Sequence, residues 1–257
     1  MNTFGQAVSE QNFALVSRYI GWGDPSDRGL WFIGIEEGSY IYEDREDILR
    51  RVGEGRVTQD GEITYWENPN EPLAKATDQS RFLHHGWAAV HIPSWASKIA
   101  SSISRGCKLG WESEWRQYRE RKLWTPGSKV FNANLFPLPR PRTKDRPSRY
   151  EQLFGVNLDS PNAYIEQCSE RHRWLRDFWN KKRPEATICF GKANWNVFKK
   201  VLQLSSQTAD RRMNGCLEFH ESDSQHVILT PFFGRGMNTM LLKEVIGQLK
   251  KWRVSIP

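Results

Sequence analysis

The sequence of 257 residues has few cysteines and no long apolar run. Its four cysteines are widely separated and form no CxxC pair, which argues against a zinc ribbon or an iron–sulfur cluster. No apolar stretch approaches the ~20 residues that span a bilayer, and the start, MNTFGQAVSEQN, is polar. The GxSxG, phosphate-loop and HExxH patterns of three large enzyme classes are also missing. We therefore expect a soluble, monomeric, cytoplasmic protein with no membrane partner, no metal and no other cofactor.

The chain is rich in apolar and basic residues. Hydrophobic residues make up 38% of the sequence and aromatic residues 12%, which suffices for a sizeable core in a chain of this length. The 37 lysines and arginines outnumber the 30 aspartates and glutamates, and the formal net charge is +7. A basic surface suits a polyanion such as DNA, although basicity alone does not identify the partner.

Strand-like and helix-like segments alternate along the chain. Strands are predicted at LWFIGI, KVFNANLF, ATICFG, CLEFHES and HVILTPFF, and most of the segments between them have helical spacing. This alternation predicts an α/β fold, a three-layer α/β/α sandwich with a central, mostly parallel sheet of four to five strands. We expect a single domain over residues 1–257, with a tryptophan-rich insertion at about 43–125. Residues at the carboxyl ends of the parallel strands then line the ligand crevice.

Three helix predictions are more specific. The apolar spacing from Phe13 to Ile20 predicts a first helix that stops at Gly21. The charged segment SYIYEDREDILRRVGEG predicts a helix, and YIEQCSERHRWLRDFWNKK predicts one long helix ending before Pro184. A loop or short hairpin is expected over VTQDGEITYWENPNEP because of its Asp-Gly turn.

Two glutamates follow the first predicted strand in WFIGIEEG, residues 31–38. Carboxylates are costly to bury unless they are paired or used in chemistry. Glu36 and Glu37 are open to two interpretations. They can stabilise the first turn of a helix through its dipole. Alternatively, one of them acts as a general base or stabilises the cation that develops on a sugar during bond cleavage.

An asparagine ends the second predicted strand in FNANLFPLPRP. The side chain of Asn134 presents a donor and an acceptor together, so it can read the paired donor and acceptor edge of a nucleobase. The alternative is that Asn134 only caps the turn before Pro137. The basic loop that follows, with Arg140 and Arg142, either contacts phosphates or is a solvated surface loop.

The loop TPFFGRGMN, residues 230–238, lies between the last predicted strand and the last helix. Phe232, Phe233 and Arg235 can enter a base stack there, as wedge residues do when they open a duplex. The alternative is two buried phenylalanines beside an exposed arginine. In FGKAN, Lys192 and the backbone N–H groups of a helix start favour a phosphate.

In this order the motifs resemble those of the uracil-DNA glycosylase superfamily. GIEEG resembles the first motif, which reads GINPG, GMNPG or GQDPY in different branches. FNANLFPL resembles the second motif of the single-strand-selective branch, and ATICFGKANW is similar to the strand, glycine and helix before the last motif. TPFFGRGMN lies where the family has His-Pro-Ser and its DNA-penetrating loop. The resemblance covers about residues 30 to 250 and leaves the insertion unexplained.

The resemblance implies a role for several positions. Glu36 takes the place of the Asp or Asn that positions the hydrolytic water, Asn134 that of the base-reading asparagine, and Thr230 that of the histidine that donates to the departing base. The other residues expected at the substrate are Gly34, Glu37, Gly38, Tyr40 and Phe136. The residues expected at the DNA are Arg140, Arg142, Lys192, Phe232, Phe233 and Arg235.

The implied activity is that of a monofunctional DNA glycosylase. It hydrolyses the N-glycosidic bond of a flipped-out pyrimidine and leaves an abasic site, in repair or in anti-phage defence. The base is uracil or a hypermodified phage cytosine such as glucosylated hydroxymethylcytosine. No lysine stands at the motif positions to form a Schiff base, which favours water as the nucleophile.

Glu37 and Thr230 depart from the family pattern, where a proline and a histidine stand. A non-catalytic DNA-binding sensor on the same fold is therefore the alternative. A third possibility is an α/β enzyme that acts on nucleosides or nucleotides, where the same glutamate and asparagine would meet a ribose and a base.

Overall fold

The computed structural model describes residues 3–35, 41–52, 56–63, 88–139, 147–205, 209–222, 225–234 and 236–257. The helices in these residues are α1 (Thr3–Ser17), α2 (Arg45–Arg51), α3 (Ala88–Ile103), α4 (Trp111–Arg121), α5 (Arg149–Phe154), α6 (Pro161–Gln167), α7 (Ser169–Lys182), α8 (Trp195–Leu202) and α9 (Thr239–Lys251). The strands are β1 (Tyr19–Gly23), β2 (Leu30–Gly34), β3 (Arg56–Thr58), β4 (Val130–Asn134), β5 (Ala186–Phe190), β6 (Ala209–Arg212), β7 (Leu217–Ser222) and β8 (Gln225–Thr230).

These strands form one mixed sheet in the order β3-β1-β4-β2-β5-β8-β7-β6. The neighbouring pairs β4–β2, β2–β5 and β5–β8 are parallel, and the remaining pairs are antiparallel. The predicted α/β class is therefore confirmed. The sheet itself is larger than the four to five strands expected, and most of its pairs are antiparallel, because β1 and β3 extend it on one side and β7 and β6 on the other.

The five predicted strands are present, and their sequences explain why. β2, β4 and β5 are buried along their whole length, as expected for central strands covered on both faces, although β4 includes Asn132 and Asn134. β1 was not predicted. The first helix stops at Ser17, and the segment YIGWG forms a strand. A Cβ on Gly21 would lie 2.2 Å from the carbonyl oxygen of Asn132, so the glycine permits close pairing with β4 and does not mark a helix end.

Two other helix predictions were too long. In the charged segment after residue 40, α2 covers only Arg45–Arg51, and Asp44 caps it by accepting a hydrogen bond from the backbone N–H of Asp47. The long helix predicted before Pro184 is two helices, α6 and α7, which meet at Cys168. The expected hairpin after residue 56 begins as predicted, with Val57 bridged to Ile63.

Two hydrophobic cores lie on opposite faces of the sheet. Because side chains alternate along a strand, Trp31 and Ile33 of β2 point to one face, and Leu30 and Phe32 point to the other. The first face is covered by α1, α2 and α5 to α8, and the second face by α3, α4 and α9. The described part of the tryptophan-rich segment is integrated with both sheet and core, since β3 pairs with β1 and α3 contacts α9.

A buried arginine joins the ends of three elements on the first face. The Arg171 side chain is 3% exposed. Its guanidinium donates hydrogen bonds to five backbone carbonyls, those of Ser17, Tyr19, Ile20, Asn134 and Leu135. These carbonyls belong to the end of α1, the start of β1 and the end of β4. One side chain of α7 therefore fixes where β4 ends relative to β1.

We expect Arg171→Met to lower the free energy of unfolding by about 3 kcal/mol or more, because several buried carbonyls lose a charged donor. The matched control is Arg173→Met, since the Arg173 side chain is 58% exposed on the same helix. That change should stay within about 0.5 kcal/mol. Urea unfolding of both variants and of the wild type measures the difference. Equal losses in the two variants would contradict the role given to Arg171.

Candidate functional site

The carboxyl ends of four parallel strands meet at one edge of the sheet. Gly34 at the end of β2 is in register with Asn134 at the end of β4, and Phe190 of β5 is in register with Thr230 of β8. The chain leaves β2 toward β4 on one side and leaves β5 toward β8 on the other. Ligands of open α/β sheets bind at such a switch in direction. The sequence predicts a ligand crevice between these strand ends, and the strand register places the ends side by side.

The path of the chain out of β2 is held from two sides. The backbone N–H groups of Leu135 and Phe136 donate to the carbonyls of Gly34 and Ile35, over 2.9 and 2.8 Å. On the other side Ile35 lies against Gly191, where a Cβ would come within 2.4 Å of the Ile35 Cδ1 atom. The position of Ile35, the residue before Glu36, is therefore fixed at the edge of the sheet. The predicted site residues that lie outside the described residues are Glu36, Glu37, Gly38, Tyr40, Arg140, Arg142 and Arg235.

The backbone carbonyl and the side chain of Asn134 make contacts on opposite faces of the sheet. Its carbonyl accepts the hydrogen bond from Arg171 Nη2 at 2.7 Å. Its side chain lies on the second face beside Gly34, where a Cβ would be 2.8 Å from Asn134 Oδ1 and 2.8 Å from the Phe190 ring. The residue is 6% exposed, so its amide lies almost entirely inside the protein. The amide offers a donor and an acceptor to a polar ligand that reaches it.

Phe136 and the space beside it are tightly packed. The Phe136 ring is 4% exposed and stacks on Tyr164, with ring centroids 5.2 Å apart. Asn134, Phe136 and Pro137 line a cavity of about 10 Å³. A cavity of that size holds about one water molecule. A nucleobase at this point thus requires the surrounding residues to move apart.

Two residues of the predicted site do not fit the roles expected of them. Thr230 is fully buried, and its hydroxyl donates to the Pro231 carbonyl at 2.9 Å, so it does not reach a departing base. Phe233 is also fully buried and stacks on Phe190 at 4.5 Å, which leaves no surface for a DNA base. Both side chains point into the core on the second face of the sheet.

Lys192 and Phe232 are placed at the same edge with accessible side chains. Lys192 is exposed and starts a short 3₁₀ turn after β5, where its ammonium donates to the Gly215 carbonyl at 2.8 Å. Phe232 is 41% exposed in the loop after β8, with its ring centroid 6.1 Å from that of Phe190. Both side chains are therefore accessible at the carboxyl end of the sheet.

The structure adds two residues that the sequence analysis missed. Asn132 is 1% exposed and lies on the same face as Asn134, two residues earlier in β4. Its Oδ1 atom has no hydrogen-bond partner among the residues that the structure describes. The alternation in FNAN is the sequence signal for this pair. His172 contacts Phe136 edge-on, with centroids 5.6 Å apart. Nothing in the charged sequence around His172 distinguishes it.

Burial, and then the guanidinium of Arg171, lower the pKa of His172 to about 4. A hydrogen bond to the Leu135 backbone acts in the opposite direction and is outweighed. The imidazole is therefore neutral near pH 7. It lies next to the loop that carries Leu135 and Phe136, directly after Asn134.

The described residues contain no group of three His, Cys, Asp or Glu side chains arranged to hold a metal ion. Over the same part of the chain, no helix has both the length and the apolar character that crossing a membrane requires.

We expect Gly34→Ala to destabilise the protein by about 1–3 kcal/mol, because the new Cβ would overlap the Asn134 amide and the Phe190 ring. Gly247→Ala is the control, since a Cβ there meets no atom within 4 Å in α9. That change should stabilise the helix by up to ~1 kcal/mol. Thermal and urea unfolding of the two variants test the difference. A neutral Gly34→Ala variant would show that Asn134 is not held against β2.

The low pKa of His172 predicts a loss of stability in acid. Its pKa is about 4 in the folded protein and near 6.5 when unfolded, so the unfolded chain binds more protons between these values. The free energy of unfolding should fall as the pH is lowered through this window. His172→Gln removes the titrating group, and its unfolding free energy should fall less between pH 7 and pH 4.5. Equal losses in urea unfolding of wild type and variant would contradict this assignment.

Known protein families give no independent indication of function. No family model matches the chain, and no curated protein matches it. The function therefore has to be inferred from the geometry at the sheet edge and from the motif resemblance.

Proposed function

We propose that the protein is a monofunctional DNA glycosylase that excises a modified pyrimidine and leaves an abasic site. The observation that carries the proposal is the position of the Asn134 amide, held against Gly34 at the carboxyl end of the sheet. The chain reaches Glu36 only two residues after Gly34. A base-reading amide and a carboxylate at neighbouring strand ends are the two groups that the first two motifs of the uracil-DNA glycosylase superfamily bring together.

The proposed fold is the three-layer α/β/α sandwich of that superfamily. The run of parallel strands β4-β2-β5-β8 supports it, together with helices on both faces. In this interpretation the antiparallel strands on either side are additions to the family framework. The tryptophan-rich segment contributes one of them, β3.

In the proposed reaction the glycosidic bond breaks with its electron pair going to the base. Positive charge develops on the sugar, and the Glu36 carboxylate stabilises it and positions the water that adds to the sugar carbon. The water loses a proton, and the departing base gains one. No covalent bond to the protein is required. Arg140, Arg142, Lys192 and Arg235 would hold the phosphates, and Phe232 would fill the space that the flipped base vacates.

The leaving base depends on Asn134 in this mechanism. Thr230 is not available, because its hydroxyl is bonded to Pro231 inside the core. The amide N–H of Asn134 can donate a hydrogen bond to a carbonyl of the base. This hydrogen bond becomes stronger as negative charge builds up on the carbonyl oxygen. Asn134 would therefore both read the base and stabilise its departure.

Glu37 favours a base larger and more polar than uracil. The family has a proline at this position, and a second carboxylate beside Glu36 would repel anionic groups and accept hydrogen bonds from hydroxyls. Glucosylated hydroxymethylcytosine offers such hydroxyls on its sugar. We propose this base as the preferred substrate, with a defence role against phages that carry it.

A non-catalytic sensor of modified DNA is the second candidate. The burial of Thr230 favours it, because a binding module needs no donor to a leaving group. In that case the Asn134 amide would read the base without bond cleavage.

We expect Glu36→Gln to lower base excision by about 10²–10⁴-fold while DNA binding remains nearly intact, because the amide keeps the shape but loses the charge. Strand cleavage at abasic sites measures excision from uracil-containing DNA and from phage DNA with glucosylated hydroxymethylcytosine. The control is Glu221→Gln, the same change at an exposed position of β7. It should leave excision unchanged.

Three results would redirect the assignment. DNA binding without abasic product, unaffected by Glu36→Gln, would favour the sensor. Equal loss of binding and excision in Glu36→Gln would give Glu36 a structural role. Strong competition by free nucleosides against DNA would point to a nucleoside-processing enzyme.

A further inference from the structure

A second pocket opens on the first face between α6, α7 and α8. Its volume is about 420 Å³, which lies within the range of small-molecule sites. Ile165, Val197 and Val201 give it an apolar wall. All three side chains belong to helices that pack on the sheet, so the wall is part of the framework. The pocket therefore has a preformed apolar surface against which a flat apolar group can pack.

Three cations surround this wall. Arg173, Arg176 and Lys200 line the same pocket, and Glu166 is the single carboxylate among the lining residues. Arg173 and Arg176 form ion pairs with Glu170 and Asp177 at 3.3 and 3.1 Å, and both carboxylates are well exposed. Exposed pairs of this kind are weak and exchange readily with another anion. The positive charge at the rim is therefore available to an anionic ligand.

The pocket also contains a buried hydrogen-bond acceptor. His172 lines it, and the Nε2 atom of this histidine is buried and has no hydrogen-bond partner within the described part of the chain. The imidazole is neutral near pH 7 and has a hydrogen bond to the Leu135 backbone. A neutral ring that donates from Nδ1 presents a lone pair at Nε2. An N–H or O–H group of a ligand would satisfy this atom.

We propose that this pocket binds a nucleoside monophosphate. The phosphate would lie between Lys200 and the two arginines, the base and sugar against the apolar wall, and a donor group of the base at His172 Nε2. An anion, a flat apolar body and a donor occur together in this class of ligand. The nucleotide is either free in solution or the terminal nucleotide of a DNA strand. The pocket is lined by residues of α6, α7 and α8, and of these His172 also contacts Phe136 beyond the end of β4. Binding there does not depend on the proposed glycosylase activity.

Isothermal titration of the full-length protein with deoxycytidine monophosphate tests this site. Deoxycytidine and inorganic phosphate serve as partial ligands, and both should bind much more weakly than the nucleotide. Lys200→Gln should weaken nucleotide binding about tenfold, because one charged contact to the phosphate is lost. Lys243→Gln, the same change at an exposed position of α9 on the second face, should leave binding unchanged.

A second variant keeps the test valid if Lys200→Gln disturbs folding. Val197 is only partly buried on α8, so Val197→Trp can fill the pocket without entering the core, and it should abolish binding. A short oligonucleotide with a terminal phosphate, titrated in parallel, separates the two sources of the ligand. Tighter binding of the oligonucleotide would assign the pocket to a DNA end. Absence of binding to any nucleotide, or binding that survives Val197→Trp, would overturn the proposal.

Discussion

The buried guanidinium of Arg171 is the interaction on which the geometry of the sheet edge depends. An arginine in an apolar interior is costly unless each of its donors is used. Here the donors meet carbonyls at the ends of α1 and β4 and at the start of β1. Backbone carbonyls at strand and helix ends otherwise lack partners. One charged side chain therefore satisfies several of them together and fixes where β4 stops.

This fixed end of β4 determines what can be built beside it. Once the Asn134 carbonyl is bound to Arg171, the side chain of Asn134 points to the opposite face of the sheet, toward β2. Gly34 then has to lack a side chain, because the amide and the Phe190 ring occupy the space. A side chain at Gly191 is excluded for the same reason, because its Cβ would overlap the Ile35 side chain. The glycines at this edge thus make room for neighbouring side chains.

The sequence predicts the framework of this protein better than its details. Mainly apolar runs identify β2 and β5, as expected for strands buried on both faces, whereas β4 alternates apolar residues with Asn132 and Asn134. β1 was missed because glycines that permit close pairing with β4 look the same in sequence as a helix stop. Arg171 was missed because nothing local separates it from Arg173 or Arg176 in the same helix. Its burial is set by residues more than thirty positions away in the chain.

The candidate site shows the same limit. Hydrophobic runs predict where strands end, and Gly34, Asn134, Lys192 and Phe232 lie at or just after the ends of β2, β4, β5 and β8. Motif position alone could not show that Thr230 and Phe233 turn inward. Whether a residue at a strand end faces the crevice or the core depends on register, and a shift of one residue exchanges the two faces.

The inward turn of Thr230 has a chemical consequence for the proposed reaction. An imidazole at this position would supply a donor to the departing base, whereas the Thr230 hydroxyl is already bonded within the core. The whole stabilisation of the leaving group then falls on the Asn134 amide and on the base itself. Removing one donor of this kind costs an enzyme about 10²–10³ in rate. The negative charge on the departing base would then be shared between the base's own ring carbonyls and this amide. The geometry of one buried hydroxyl thus makes Asn134 the side chain on which departure of the base depends in the proposed glycosylase.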